Sequence, residues 1–116
     1  MARVKTGTTR RHRHNKILAA TKGYWGARSK LYKTAHEAYL HAGAYAFVGR
    51  KLRKRDMRRL WIQRINAALK PFEVSYSKFM HQMKLANIDL NRKTLSQMAI
   101  EEPDSFRAVV EKVVKP

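Results

Sequence analysis

Apolar residues recur with a helical period through the last third of the chain. Phe106, Val109, Val110, Val113 and Val114 fall at i, i+3, i+4, i+7 and i+8, the spacing of one buried stripe behind Pro103, which favours a first helical position. Ser75 can cap a helix that turns Tyr76, Phe79, Met80 and Met83 inward. A further helix follows Asn91 and buries Leu95, Met98 and Ala99, with Ile88 and Leu90 contributed by the preceding loop. Upstream, Met57, Leu60, Trp61, Ile65, Ala68 and Leu69 form a matching stripe, expected to be the fourth wall of one small bundle. Each large side chain contributes roughly 1.5–3 kcal/mol on burial, enough for several together to hold such a bundle.

The helix carrying that fourth wall extends backwards. No proline interrupts Ala27 to Leu69, and a continuous helix of that length spans about 65 Å at 1.5 Å per residue. Gly43 and Gly49 weaken or bend it, at about 1 kcal/mol each relative to alanine. A short helix around Asn15 to Thr21 precedes it, with KGYWG as the turn between them and an extended arm without its own fold before Arg10. The expected fold is therefore all-α: an extended basic N-terminal arm and a long bent helix, followed by a small C-terminal helical bundle. Its parts are the basic arm and long helix (residues 1–56) and a small helical domain that shares the end of that helix (residues 57–116).

Charge changes the picture. The 116 residues carry 26 Lys and Arg against 8 Asp and Glu, a formal charge of +18. Nearly all of it lies early: residues 1–70 are net +17 and residues 71–116 net +1. A compact fold with that excess repels itself, so a polyanionic partner is implied for the first seventy residues. Cysteine is absent, which excludes disulfide staples and thiolate metal sites. The longest apolar run, Ala42 to Val48, is far short of a membrane span, and Ile17 to Ala20 is too brief for a secretory signal. A transit peptide fits the lack of acids before Glu37, but the basic character runs on to Arg64.

The strongest chemical signal is RKLRKRDMRR. On a helix, Arg50, Lys51, Arg53, Lys54, Arg55, Arg58 and Arg59 spread over about two-thirds of the circumference, and Asp56 is the only acid between Glu37 and Glu73. A solvated helix interleaves both signs; this one suits a rod surrounded by phosphate. A second cluster, Arg10, Arg11, His12, Arg13, His14 and Lys16, follows Arg3 and Lys5 on the arm, where arginine forks can hold phosphate in bidentate fashion. The alternative there is a localisation signal or a generic basic tail. Trp25, Tyr32 and Tyr39 recur every seven residues and on one helix share a face, which packs on the preceding helix or stacks on bases. Tyr24 and Trp25, between Gly23 and Gly26, are the better stacking candidates. HEAYLH, His36 to His41, resembles a zinc-protease motif but has one residue too many, so its histidines lie about 140° apart around a helix. With no paired carboxylates and no nucleophile beside a base, no enzyme, cofactor, metal or small-molecule substrate is expected. A membrane-active protein needs a sustained apolar face, which the Arg50 to Arg59 rod lacks. A DNA-binding architectural protein or small regulator is the rival that charge alone permits.

Four segments carry a resemblance: MARVK, KILAATKGYWGARS from Lys16, RKRDMRRLWIQRINAA from Arg53 and SYSKFMHQMKLANIDLNRKTL from Ser75. Together, and in order, they resemble ribosomal protein L20, a family of the bacterial large ribosomal subunit. The resemblance implies a structural constituent that binds 23S-type ribosomal RNA and acts early in subunit assembly, in a cytoplasmic or organellar ribosome. By position it implies that Arg3, Lys5, Arg10 to His14, Lys16, Lys22, Tyr24, Trp25, Arg28, Lys30, Lys33, Arg50, Lys51, Arg53, Lys54, Arg55, Arg58, Arg59 and Arg64 line the RNA through which the arm and long helix thread. Lys78, Lys84, Arg92 and Lys93 match secondary RNA contacts of a C-terminal domain that in some bacteria represses its own messenger. Neighbouring large-subunit proteins, protein 21 among them, are the implied protein partners. Two stretches depart from the family pattern: Phe47, Val48 and Gly49 replace a more polar segment, and Lys70, Pro71 and Phe72 replace a glycine-containing turn.

Overall fold

The structure is a computed structural model that describes residues 2–114, and among these residues every regular element is helical. In chain order these are α1 (Gly7–Ala20), a 3-10 turn (Gly26–Ser29), α2 (Tyr32–Leu69), a second 3-10 turn (Lys70–Phe72), α3 (Tyr76–Leu85), α4 (Arg92–Glu101) and α5 (Pro103–Val114). The chain divides into two compact units, Met1–Lys51 and Leu52–Pro116.

In the first unit, α1 starts well before the expected Asn15, and only residues 2–6 precede it without regular structure. The arm therefore carries Arg10 to Lys16 on a helix. The Arg10 amide donates to the Thr6 carbonyl at 2.9 Å, and α1 contains no fully buried residue. A helix that buries no face has no apolar stripe, so periodicity cannot reveal it. Its end is clear: Thr21 is fully buried and its hydroxyl donates back to the Ile17 carbonyl at 3.1 Å. Gly23 and Gly26 then take φ of +86° and +65°. Those left-handed positions, costing an L side chain about 1–2 kcal/mol each, fold KGYWG into the expected turn. The next turn is pinned to the start of α2, because the Thr34 hydroxyl donates to the carbonyls of Ala27 and Leu31, each at 3.1 Å. His14 of α1 stacks on Tyr32 of α2 with ring centroids 3.7 Å apart and planes 11° from parallel.

In the second unit, Ile65, Leu69, Phe79, Met83, Leu95, Phe106, Val110 and Val113 form one core. Ala68, Tyr76, Met80, Ile88, Leu90, Met98, Ala99, Val109 and Val114 pack around it, as the stripes of α3, α4 and α5 predict. The rings of Phe79 and Phe106 lie 6.1 Å apart and tilted by 48°. Asn91 caps α4 by accepting from the Thr94 amide at 2.8 Å. Ser75 occupies the cap position of α3 but makes no backbone cap bond; its hydroxyl lies 3.4 Å from that of Ser77.

The fourth wall is shorter than expected. Met57 and Leu60 are exposed and Trp61 is only half-buried, so within the second unit the buried part of α2 begins at Ile65. Helices α3, α4 and α5 have 10, 10 and 12 residues. At 1.5 Å per residue they are about 15–18 Å long, enough to cover the final turns of α2 and no more. The departure at Lys70–Phe72 is resolved as a 3-10 turn with Pro71 near its start, closed by Glu73 in the left-handed region at φ 53°.

Candidate nucleic-acid interface

Every residue of α2 from Gly43 to Leu60 is exposed. Around this stretch stand Arg50, Lys51, Arg53, Lys54, Arg55, Arg58 and Arg59, joined one turn later by exposed Arg64. The single acid, Asp56, approaches Arg59 at 3.5 Å, with side chains 64% and 74% exposed. A pair so open to water contributes little, so the run stays effectively uncompensated. Apolar Tyr45, Phe47, Val48 and Leu52 lie exposed among these cations, and Lys51 Nζ sits 4.3 Å from the centroid of the Phe47 ring. Such a contact lays the aliphatic stem along the helix and keeps the charge at the surface. The Phe47–Gly49 departure thus lies within the exposed stretch and adds no cation of its own.

Arg3, Lys5, Arg10, Arg11, His12, Arg13 and Lys16 are all exposed. His14 differs: it is half-buried and stacks on Tyr32, which also stacks on His36 at 5.5 Å, at the junction of α1 and α2. Beside it Thr6, Thr9, Arg10, Arg13, His14 and Tyr32 line a cleft of about 400 Å³. Lys22, Arg28, Lys30 and Lys33 are exposed around the glycine turn. At its tip Trp25 is 95% exposed and Tyr24 is 37% exposed. Because Trp25 precedes the 3-10 turn, it cannot share a helical face with Tyr32 and Tyr39, and the seven-residue spacing has no structural meaning across it. The turn holds a whole indole in water, an arrangement suited to a partner that covers it.

In the second unit Lys78, Lys84 and Lys93 are exposed. Arg92 is half-buried and its Nε donates to the Tyr76 hydroxyl at 2.8 Å, which fixes the guanidinium and leaves its other donors free.

Sequence reasoning passed over one groove in the first unit. Tyr24, Arg28, Thr34, Glu37, Ala38, His41, Ala42 and Tyr45 line an open groove of about 520 Å³ between the glycine turn and one face of α2. Its signal was present as the spacing of Glu37, His41 and Tyr45, four residues apart and so on one face. His36 and His41 go to different neighbours, Tyr32 and Tyr45, as their angular separation requires. Among the described residues no helix is long and apolar enough to cross a membrane.

The arrangement is a helical scaffold presenting cations and exposed aromatics. Comparison with known proteins gives the same direction. The family model described as ribosomal protein L20 matches residues 3–109. Among curated relatives, the large ribosomal subunit protein bL20 of Alkaliphilus oremlandii is 56% identical over 111 residues, 96% of this chain and 93% of the relative. The protein of the same name from Caldanaerobacter subterraneus is 54% identical over 110 residues, 95% of this chain and 92% of the relative. That from Finegoldia magna is 53% identical over 111 residues, covering 96% and 95%. With the match running through the basic helices, the aromatic turn and the bundle alike, the chain belongs to the ribosomal protein L20 family of the large ribosomal subunit.

Proposed function

We propose that this protein binds large-subunit ribosomal RNA directly and promotes early assembly by clamping RNA segments that converge on its basic helices. The observation that carries the reading is the Gly43 to Leu60 stretch, exposed at every position and carrying seven Lys or Arg against one Asp. A protein helix gains nothing from such a face by itself; next to phosphate each cation displaces condensed counterions. Neutralising phosphates where RNA helices meet lowers the repulsion that opposes their packing. Arg3, Lys5 and the α1 cations add further exposed positive charge, and the exposed Trp25 adds a stacking platform. Lys78, Lys84, Arg92 and Lys93 form a smaller RNA-facing set on the second unit, suited to the same fold of RNA in its own messenger. Neighbouring large-subunit proteins, protein 21 among them, complete the setting in the cytoplasmic ribosome.

The test is filter binding of the full chain to transcribed large-subunit ribosomal RNA, and to duplex DNA of equal length, across a salt series. Seven phosphate contacts from the Arg50 to Arg59 run alone correspond to a slope of log K against log salt of about −5 to −6, at 0.7–0.9 per phosphate. Replacing Arg53 and Arg55 with Ala should flatten it by about 1.4–1.8. A salt-independent affinity refutes the clamp, and equal affinity for the DNA moves the reading to the architectural class.

A further inference from the structure

The groove between the glycine turn and α2 contains a group that a phosphate clamp does not want. Glu37 is the only acid among the first 55 residues, and among the described residues it forms no ion pair. A carboxylate repels phosphate, so its presence here weakens backbone binding unless it meets donors. RNA offers donors only on its sugars and base edges. We propose that the groove is a pocket for one unstacked guanine of the bound RNA, read by the Glu37 carboxylate; this rests on the RNA-binding reading above.

The chemistry selects guanine. Its Watson–Crick edge places N1–H and N2–H side by side, matching the two acceptor oxygens of a carboxylate. Adenine and cytosine set one amine beside an acceptor nitrogen, and uracil has one N–H between two carbonyls. The walls suit a base as well. His41 stacks on Tyr45 with centroids 5.8 Å apart and planes 29° from parallel, and Tyr45 remains 71% exposed, open to a further ring. Tyr24 and Arg28 line the groove from the turn, the first offering a second aromatic ring and the second a guanidinium for a flanking phosphate. The space, about 520 Å³, falls in the range of pockets that hold small ligands. The pocket is preformed, because the bonds from Thr34 and from the Leu31 amide to the Ala27 carbonyl, at 3.1 and 2.8 Å, fix the turn against the start of α2.

The experiment measures fluorescence anisotropy of the full chain with five-nucleotide RNAs, uridine on both sides of a central guanine, inosine, adenine, cytosine or uracil, compared at matched salt and repeated across a salt series. The guanine oligomer should bind at least about fivefold tighter than each of the others. Inosine lacks only the N2 amine, so it isolates the second donor. Glu37→Gln, at an exposed position, should retain the helical circular dichroism and erase the guanine preference, while affinity for the all-uridine oligomer stays the same or rises. Equal binding of guanine and inosine overturns the pocket, as does a guanine preference that survives Glu37→Gln. If the oligomers bind alike and with strong salt dependence, the pocket fails and the clamp stands. If none binds, and ribosomal RNA does not bind either, both fail together.

Discussion

The point along α2 where the small bundle of the second unit begins to cover it can be located by substitution. Ile65 is fully buried in the core, so Ile65→Ala removes apolar contacts that nothing nearby replaces. Such truncations cost about 2–5 kcal/mol. For a unit of this size total stability is roughly 3–10 kcal/mol, at 0.05–0.15 kcal/mol per residue, so the loss is a large part of the whole. Each kcal/mol moves the midpoint of a small domain by about 4–8 °C, and Ile65→Ala should lower it by at least about 8 °C. One helical turn or two upstream the expectation reverses. Met57 and Leu60 are 39% and 36% exposed and outside the core, so Met57→Ala and Leu60→Ala should change stability by about 0.5 kcal/mol or less. Thermal melts of the free chain, followed by near-ultraviolet circular dichroism of the aromatic core, measure all three variants. A melting loss for Leu60→Ala or Met57→Ala equal to that of Ile65→Ala would refute the boundary and return both residues to the bundle.

The caps of α3 and α4 give a matched contrast: Asn91→Ala should cost about 1 kcal/mol, since it removes the acceptor for the Thr94 amide, whereas Ser75→Ala should cost a few tenths at most, readable from denaturant midpoints. Glu73 adopts a positive φ that costs an L residue about 1–2 kcal/mol, so Glu73→Gly should raise the midpoint modestly after the glycine entropy of the unfolded chain is counted, and Glu73→Val should lower it. Tyr76→Phe should release the Arg92 guanidinium at a cost of about 0.5–1.5 kcal/mol, and its effect on RNA binding in filter assays should be smaller than that of Arg92→Ala.

How much was legible in the sequence differs by element for physical reasons. The stripes of α3, α4 and α5 gave their inward faces correctly, because those helices are amphipathic and everything they bury lies within one small core. Met57 and Leu60 were misassigned because periodicity says which face is apolar and not whether anything covers it. The start of α1 was hidden for the opposite reason: a helix without a buried face leaves no pattern. The stack of His14 on Tyr32 joins residues far apart in sequence, a pairing that single-chain spacing does not encode. The seven-residue series through Trp25 failed because Gly23 and Gly26 place that residue in a turn, a fact the GYWG motif itself had already suggested. The cations of Arg50 to Arg59 were the easiest to identify, since a stretch that is exposed all round needs no knowledge of the fold. The Glu37 groove was the hardest, because its walls come from two segments whose separation only the Thr34 bonds define.

The bare middle of α2 also bears on the lifetime of the protein. A helical segment held by its own hydrogen bonds alone opens locally at little cost, and each opening presents Lys and Arg residues to any protease that cleaves after basic side chains. A free copy should therefore be cut along that segment by such a protease faster than a copy in which the segment is covered.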